Sequence, residues 1–174
     1  MSPSADTVCL AGIVEDSITD GPGLRFTVFT QGCPHNCPGC HNPQTHPFDG
    51  GTRYAVSELT DKIKNNVLCT GVTFSGGEPF CRASELLPLA HAVKAMVKEL
   101  AIYSGYTYEE ILSLGGDAFA LLRLADTLVD GAYVEALRDY TLKFRGSSNQ
   151  RVIDVQASLK EGKIVPDQSE RWVP

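Results

Sequence analysis

Apolar positions along the 174-residue chain follow two alternating rhythms. Leu24 to Thr30 (L-R-F-T-V-F-T) is rich in β-branched and aromatic residues and follows the Gly21-Pro22-Gly23 turn, which predicts a strand. Val56, Leu59, Ile63 and Val67 then recur at helical spacing, with a cap expected at Ser57 or nearby. Gly71 to Ser75 (G-V-T-F-S) predicts a second short strand, stopped by Gly76 and Gly77. Leu86, Leu89, Ala90, Val93, Val97 and Leu100 mark a second amphipathic helix, in which Pro88 is tolerable only near the first turn. Ala101 to Ser104 predicts a third strand, and Thr107 with Glu110 fits a capping box that opens another helix. Thr127 to Asp130 and Val152 to Val155 predict two more strands. No internal repeat is evident, and the polar stretch after Gln156 is expected to be loosely ordered.

Strands alternating with helices of this length imply βαβ units around a parallel sheet. In such sheets ligands gather at the carboxyl ends of the strands. Two irregular segments fall there. One is the loop from Cys33 to Gly51, which holds Pro34, Pro38, Pro43 and Pro47 and has the length of a functional loop. The other is Gly76-Gly77-Glu78.

Composition narrows the classes. Lys+Arg 15 against Asp+Glu 21 gives a net charge of −6 with no basic run, which argues against nucleic acid or an anionic membrane as the partner. The length suits one domain and is too short for a complete eightfold β/α barrel of about 250 residues. No apolar run approaches the ~18–20 residues of a membrane span. Asp6, Glu15, Asp16 and Asp20 interrupt the first thirty residues, so no secretory signal is visible and a cytoplasmic location is expected.

The six cysteines carry the chemistry. Cys9, Cys69 and Cys81 are scattered and read as buried structural thiols, whereas Cys33, Cys37 and Cys40 crowd into eight residues. In a reducing compartment such a cluster suggests metal rather than disulfides. Iron–sulfur clusters are normally held by four thiolates, so three would leave one iron of a [4Fe–4S] cube open to a substrate. The same thiols joined by His35, His41 or His46 would make a structural zinc site. Spacing alone leaves both readings standing.

The segment G-C-P-H-N-C-P-G-C-H-N-P, residues 32–43, resembles the cluster loop of the radical S-adenosylmethionine (SAM) superfamily, and Ser75-Gly-Gly-Glu-Pro79 resembles its second motif. Many members have an aromatic residue just before the third cysteine; Gly39 stands there instead, as in the small glycyl-radical activating enzymes. Ile102 to Tyr106, Leu128 to Gly131 and Arg145 to Gln150 are similar to the activators of anaerobic ribonucleoside-triphosphate reductase, in order from about Ile13 to Val155. The resemblance implies one domain over residues 1–174 with its core at about 13–155, folded as an open, incomplete β/α barrel of partial TIM type with mainly parallel strands. It implies an oxidoreductase in which Cys33, Cys37 and Cys40 hold a [4Fe–4S] cluster. Gly39, Cys40, His41, Gly76, Gly77 and Glu78 would meet SAM, whose cleavage yields a 5′-deoxyadenosyl radical that takes hydrogen from a glycine of the reductase. A low-potential donor such as reduced flavodoxin would supply the electron, and an unclosed barrel side would admit the protein loop. An activator of pyruvate formate-lyase type is the near alternative, opposed by Arg145 to Gln150. A non-catalytic iron–sulfur or zinc module is the distant one, opposed by the second rim motif. Tyr103, Ser104 and Tyr106 end a rim strand, and Ser147 to Gln150 form a polar segment whose role the residues do not assign.

Overall fold

The computed structural model describes residues 7–173; residues 1–6, Asp6 among them, and Pro174 lie outside the described residues. Seven strands, β1 (Thr7–Ser17), β2 (Arg25–Thr30), β3 (Thr52–Ala55), β4 (Gly71–Gly76), β5 (Glu99–Tyr103), β6 (Thr127–Asp130) and β7 (Arg151–Asp154), form one sheet. Five helices accompany them: α1 (Val56–Asn65), α2 (Ala83–Ala95), α3 (Tyr108–Leu114), α4 (Gly116–Leu124) and α5 (Val155–Glu161). The strand order is β3-β1-β2-β4-β5-β6-β7, and the end strands do not pair with each other, so the sheet is open. β2, β4, β5 and β6 pair parallel, while β1 pairs antiparallel with both β2 and β3, and β7 antiparallel with β6. The expectation of mainly parallel strands is therefore met at the centre alone, and the sheet as a whole is mixed.

Alternation along the strands separates two faces. Phe26, Val28, Val72, Phe74, Leu100, Ile102 and Leu128 point one way into the main core, where Leu59 and Ile63 of α1, Leu86 and Leu89 of α2, and Leu121 of α4 meet them. Each such side chain removed from water stabilises the fold by about 1.5–3 kcal/mol, before the entropy of ordering the chain is set against it. The intervening residues face the other side: Arg25, Thr27, Thr73, Ala101 and Val129 are buried there without any helix over them. A sheet covered by helices on one face, with a mixed polar and apolar set on the other, is the frame that holds the site.

Several elements differ from the sequence expectation. α1 starts after Ala55, which makes no side-chain cap, and Val67 lies beyond its end, 86% exposed. The second helix stops at Ala95 although Val97 and Leu100 continue its spacing. Val97 is 92% exposed with φ +57°, and Leu100 is drawn into β5 by pairing with Val72. Pro88 lies in the second turn of α2, where it leaves the Ser84 carbonyl without a helical donor. The capping box is as expected: Thr107 accepts from Glu110 N and the Glu110 side chain from Thr107 N. The segment after Gln156 is not loose. Asp154 caps α5 through Ala157 N at 2.9 Å, residues 165–167 bond along β7, and Trp172 is 1% exposed. No helix among the described residues is long and apolar enough to cross a membrane.

Candidate cofactor site

The loop after β2 is closed at its neck by its own backbone. Gly32 N donates to Thr45 O at 2.7 Å and Cys33 N to His46 O at 3.0 Å. The buried Gln31 amide adds Nε2 bonds to Gln44 O at 3.1 Å and Pro47 O at 2.7 Å. Between these ties Asn36 (φ +48°) and Gly39 (φ +71°) turn the chain through left-handed conformations, and Cys40 N donates to Cys37 O. The result presents three thiols on one side of a short ring.

All three thiols line a cavity of about 400 Å³. Part of its remaining wall comes from the carboxyl ends of the parallel strands: Ser75, Gly76 and Gly77 at the end of β4, Tyr103 and Ser104 at β5, and Gly131 after β6. Four parallel strands thus deliver their ends to one place, as the rim rule predicts. His41 and His46 line the cavity too, and His41 packs against Tyr133 with ring centroids 5.3 Å apart. Burial pushes the Cys33 thiol up to about 11 and raises Cys37 as well, with backbone N–H bonds pulling the other way. A metal cation reverses such a preference by binding the thiolate, releasing the proton.

Gly76 and Gly77 line the cavity, yet their lack of a side chain answers to the protein itself. A Cβ on Gly77 would overlap the Gly32 carbonyl, and one on Gly76 would meet Thr30 N and Phe29. Gly77 N bonds Thr30 O and Glu78 N bonds Gly32 O, both at 2.8 Å, so this turn is sewn to the neck of the cysteine loop. Glu78 is fully buried and is absent from the cavity wall. Its carboxylate accepts from Phe80 N at 3.0 Å, Ser104 Oγ at 2.9 and 3.0 Å, Gly105 N at 2.9 Å, and lies 2.8 Å from His35 Nε2. His35 in turn stands edge-on to Tyr106 at 4.4 Å. Glu78 is therefore a tie between the cysteine loop and the ends of β4 and β5.

Sequence reasoning did not single out Tyr133, Phe144 or Asp20, and it quoted Arg145 without a role. All four line the cavity. The signal for Tyr133 was its position two residues past Gly131 at the end of a parallel strand. The segment 145–150 acquires a mechanical reading: Gln150 Oε1 accepts from Gly146 N and Ser147 N, and Gln150 Nε2 donates to Gly131 O at 3.0 Å. That lock holds Arg145 at the cavity, fixed by Nη1 to Gln150 O at 2.9 Å. Of the scattered cysteines, Cys9 and Cys69 are buried as expected, whereas Cys81 is exposed and near Tyr106 Oη at 3.8 Å.

A polar ligand suits this cavity. Among the described residues, His46 Nε2, Tyr103 Oη, Tyr133 Oη and Arg145 Nε are buried without a hydrogen-bond partner, and all four residues line it. Orphaned buried donors of this kind carry a desolvation cost of about 1–3 kcal/mol each unless something meets them. No three His, Cys, Asp or Glu side chains among the described residues converge on a point suited to a single metal ion. A cubane asks for no such convergence, because each thiolate binds a different iron. Three soft thiols of one loop, opening onto a polar cavity, fit that group.

Residues 19–153 match the family described as "4Fe-4S single cluster domain". The chain is 38% identical over 142 residues to the anaerobic ribonucleoside-triphosphate reductase-activating protein of Vibrio cholerae, covering 76% of this chain and 89% of that protein. The protein of the same name from Escherichia coli K12 is 35% identical over 144 residues, covering 78% and 91%. That from Enterobacteria phage T4 is 34% identical over 140 residues, covering 76% and 85%.

Proposed function

The chain belongs to the family of anaerobic ribonucleoside-triphosphate reductase-activating proteins and carries a 4Fe-4S single cluster domain, and from that premise we propose that it is the radical SAM activase that installs a glycyl radical on such a reductase. Cys33, Cys37 and Cys40, which line the cavity, would hold the cluster beside the space that receives SAM. When bound, that group would supply the one-electron chemistry for reductive cleavage of SAM, by which hydrogen would be taken from a glycine Cα of the reductase. The protein's own task is to hold and to exclude. Main-chain groups of Gly39, Cys40 and His41 and the turn at Gly76 and Gly77 flank the ligand. Glu78 serves from behind, fixing the loop and the strand ends in register. Tyr103, Tyr133 and Arg145 line the cavity with polar groups unpaired within the protein, which a side-chain adjustment would turn toward the ligand or the peptide that brings the glycine. The sheet's helix-free face is the interior of an open, incomplete β/α barrel, and its unclosed side admits that peptide. A low-potential donor such as reduced flavodoxin supplies the electron.

The observation that carries this reading is the convergence of three thiols and four parallel strand ends on one cavity, beside four lining residues that hold buried unpartnered polar atoms. The test reduces cluster-loaded protein without oxygen, adds SAM and a candidate partner, and looks for a carbon-centred doublet by electron paramagnetic resonance. The anaerobic reductase should give the doublet, and an alanine in place of its radical-site glycine should remove it. A doublet on pyruvate formate-lyase and none on the reductase would transfer the activity to the neighbouring class. Colourless protein holding stoichiometric zinc would end the radical reading.

A further inference from the structure

The family match stops at residue 153, yet the chain after it returns to the site. After α5, residues 165–167 run along the free side of β7, with Asp154 N bonding Val165 O and Asp167 N bonding Val152 O, each at 2.9 Å. The chain then turns under the helix-free face. Trp172 enters that face at 1% exposure and packs on Ala101, Val129 and Val152 of three successive strands. Its indole Nε1 reaches Glu99 Oε1 at 3.4 Å, and the neighbouring Arg171 pairs with Glu99 at 2.8 Å. The ring also lies 5.9 Å from the guanidinium of the buried Arg25.

Above the indole stand two residues of the cavity wall. Phe144 meets it edge-on with centroids 5.5 Å apart, and Tyr103 packs against the same cluster. Phe144 holds φ +55°, a left-handed conformation that a bulky residue keeps only when its surroundings over-determine it. Without the indole, the apolar neighbours left to the two aromatic rings on this face are Ala101, Val129, Val152 and Val173, none of them aromatic.

We propose that Trp172 is a positioning residue: it floors the SAM cavity by seating Phe144 and Tyr103 from below, so that a segment outside the family match sets the cavity's depth. The proposal rests on the reading of the cavity as the SAM site. Loss of the ring lets Phe144 relax and lets water rise into the polar end of the cavity, loosening the ligand without touching the thiols.

Trp172 is the sole tryptophan, so the wild-type protein reports on its own floor. In cluster-loaded protein without oxygen, acrylamide should quench Trp172 emission far less than it quenches free tryptophan; equal quenching would overturn the proposal whatever any variant does. Equilibrium dialysis should then show SAM bound about tenfold more weakly by Trp172→Ala, the size of one aromatic pair, with iron content unchanged. Trp172→Phe should recover binding to within about threefold, because a smaller ring still supports Phe144 edge-on. Should Trp172→Ala fail to fold, Trp172→Phe against Trp172→Leu carries the comparison, and binding should follow the aromatic ring. Wild-type protein that holds the cluster but binds no SAM would sink the proposed function and this inference together. Wild-type binding preserved in Trp172→Ala, or in Trp172→Leu as fully as in Trp172→Phe, would sink this inference alone.

Discussion

Glu78 separates a ligand contact from a structural tie, and the two roles predict opposite results in protein that contains no cluster. Replacing it with Ala strands Phe80 N, Gly105 N and Ser104 Oγ, and both Phe80 and Ser104 are buried. At about 1–3 kcal/mol for each buried donor left unpaired, with Gly105 and His35 partly open to water, the loss comes to about 3–5 kcal/mol. For a chain of this size that lowers the thermal midpoint by about 10 °C. Glu78→Gln keeps the shape and one acceptor but turns an NH₂ toward donors, so about 1–2 kcal/mol should go. Thermal melts of the apoprotein followed by circular dichroism measure both. If Glu78 served SAM and nothing else, the apoprotein variants would melt like wild type and differ only in SAM binding. That result would refute the reasoning.

Alanine at Cys33, Cys37 or Cys40 should abolish iron and sulfide binding, measured chemically after anaerobic reconstitution, whereas Cys9→Ala, Cys69→Ala and Cys81→Ala should retain about four irons. Gly77→Val, which from sequence alone would crowd the ligand, should instead push on the Gly32 carbonyl; cluster loading should fall together with SAM affinity, and an intact cluster with lost SAM binding would contradict the geometry. Thr107→Ala removes a capping box on α3, so the melting point should drop by about 2–4 °C, or roughly 1 kcal/mol, with iron content unaffected.

The parallel centre and the capping box were legible because each rests on short-range chemistry. Phe26, Val28, Val72 and Phe74 alternate within single strands, and Thr107 and Glu110 lie three residues apart. What escaped was decided across the chain. Leu100 looks helical after Val93 and Val97, but its pairing with Val72 is a contact between distant segments. β1 and α4 carry weak local signals, α4 opening on Gly115-Gly116, which reads as a turn. The thiols and the glycine pair were legible because their chemistry needs those residue types close together. For Glu78 a sequence shows an acceptor without showing that Ser104, Gly105, Phe80 and His35 surround it. Trp172 was hidden by the polar average of the residues around it.

The neck of the cysteine loop has a consequence for repair. Gln31, Gly32 and Cys33 clasp the chain between Gln44 and Pro47 through main-chain and amide bonds that involve no thiol. The entropy of closing that ring is met while the protein folds rather than when iron arrives. Metal binding here is expected to be uncoupled from global folding, unlike small zinc domains that unfold when stripped. A cluster lost to oxygen should therefore leave a folded receptacle behind, which iron and sulfide alone are expected to refill; apoprotein that melted far below cluster-loaded protein would contradict this.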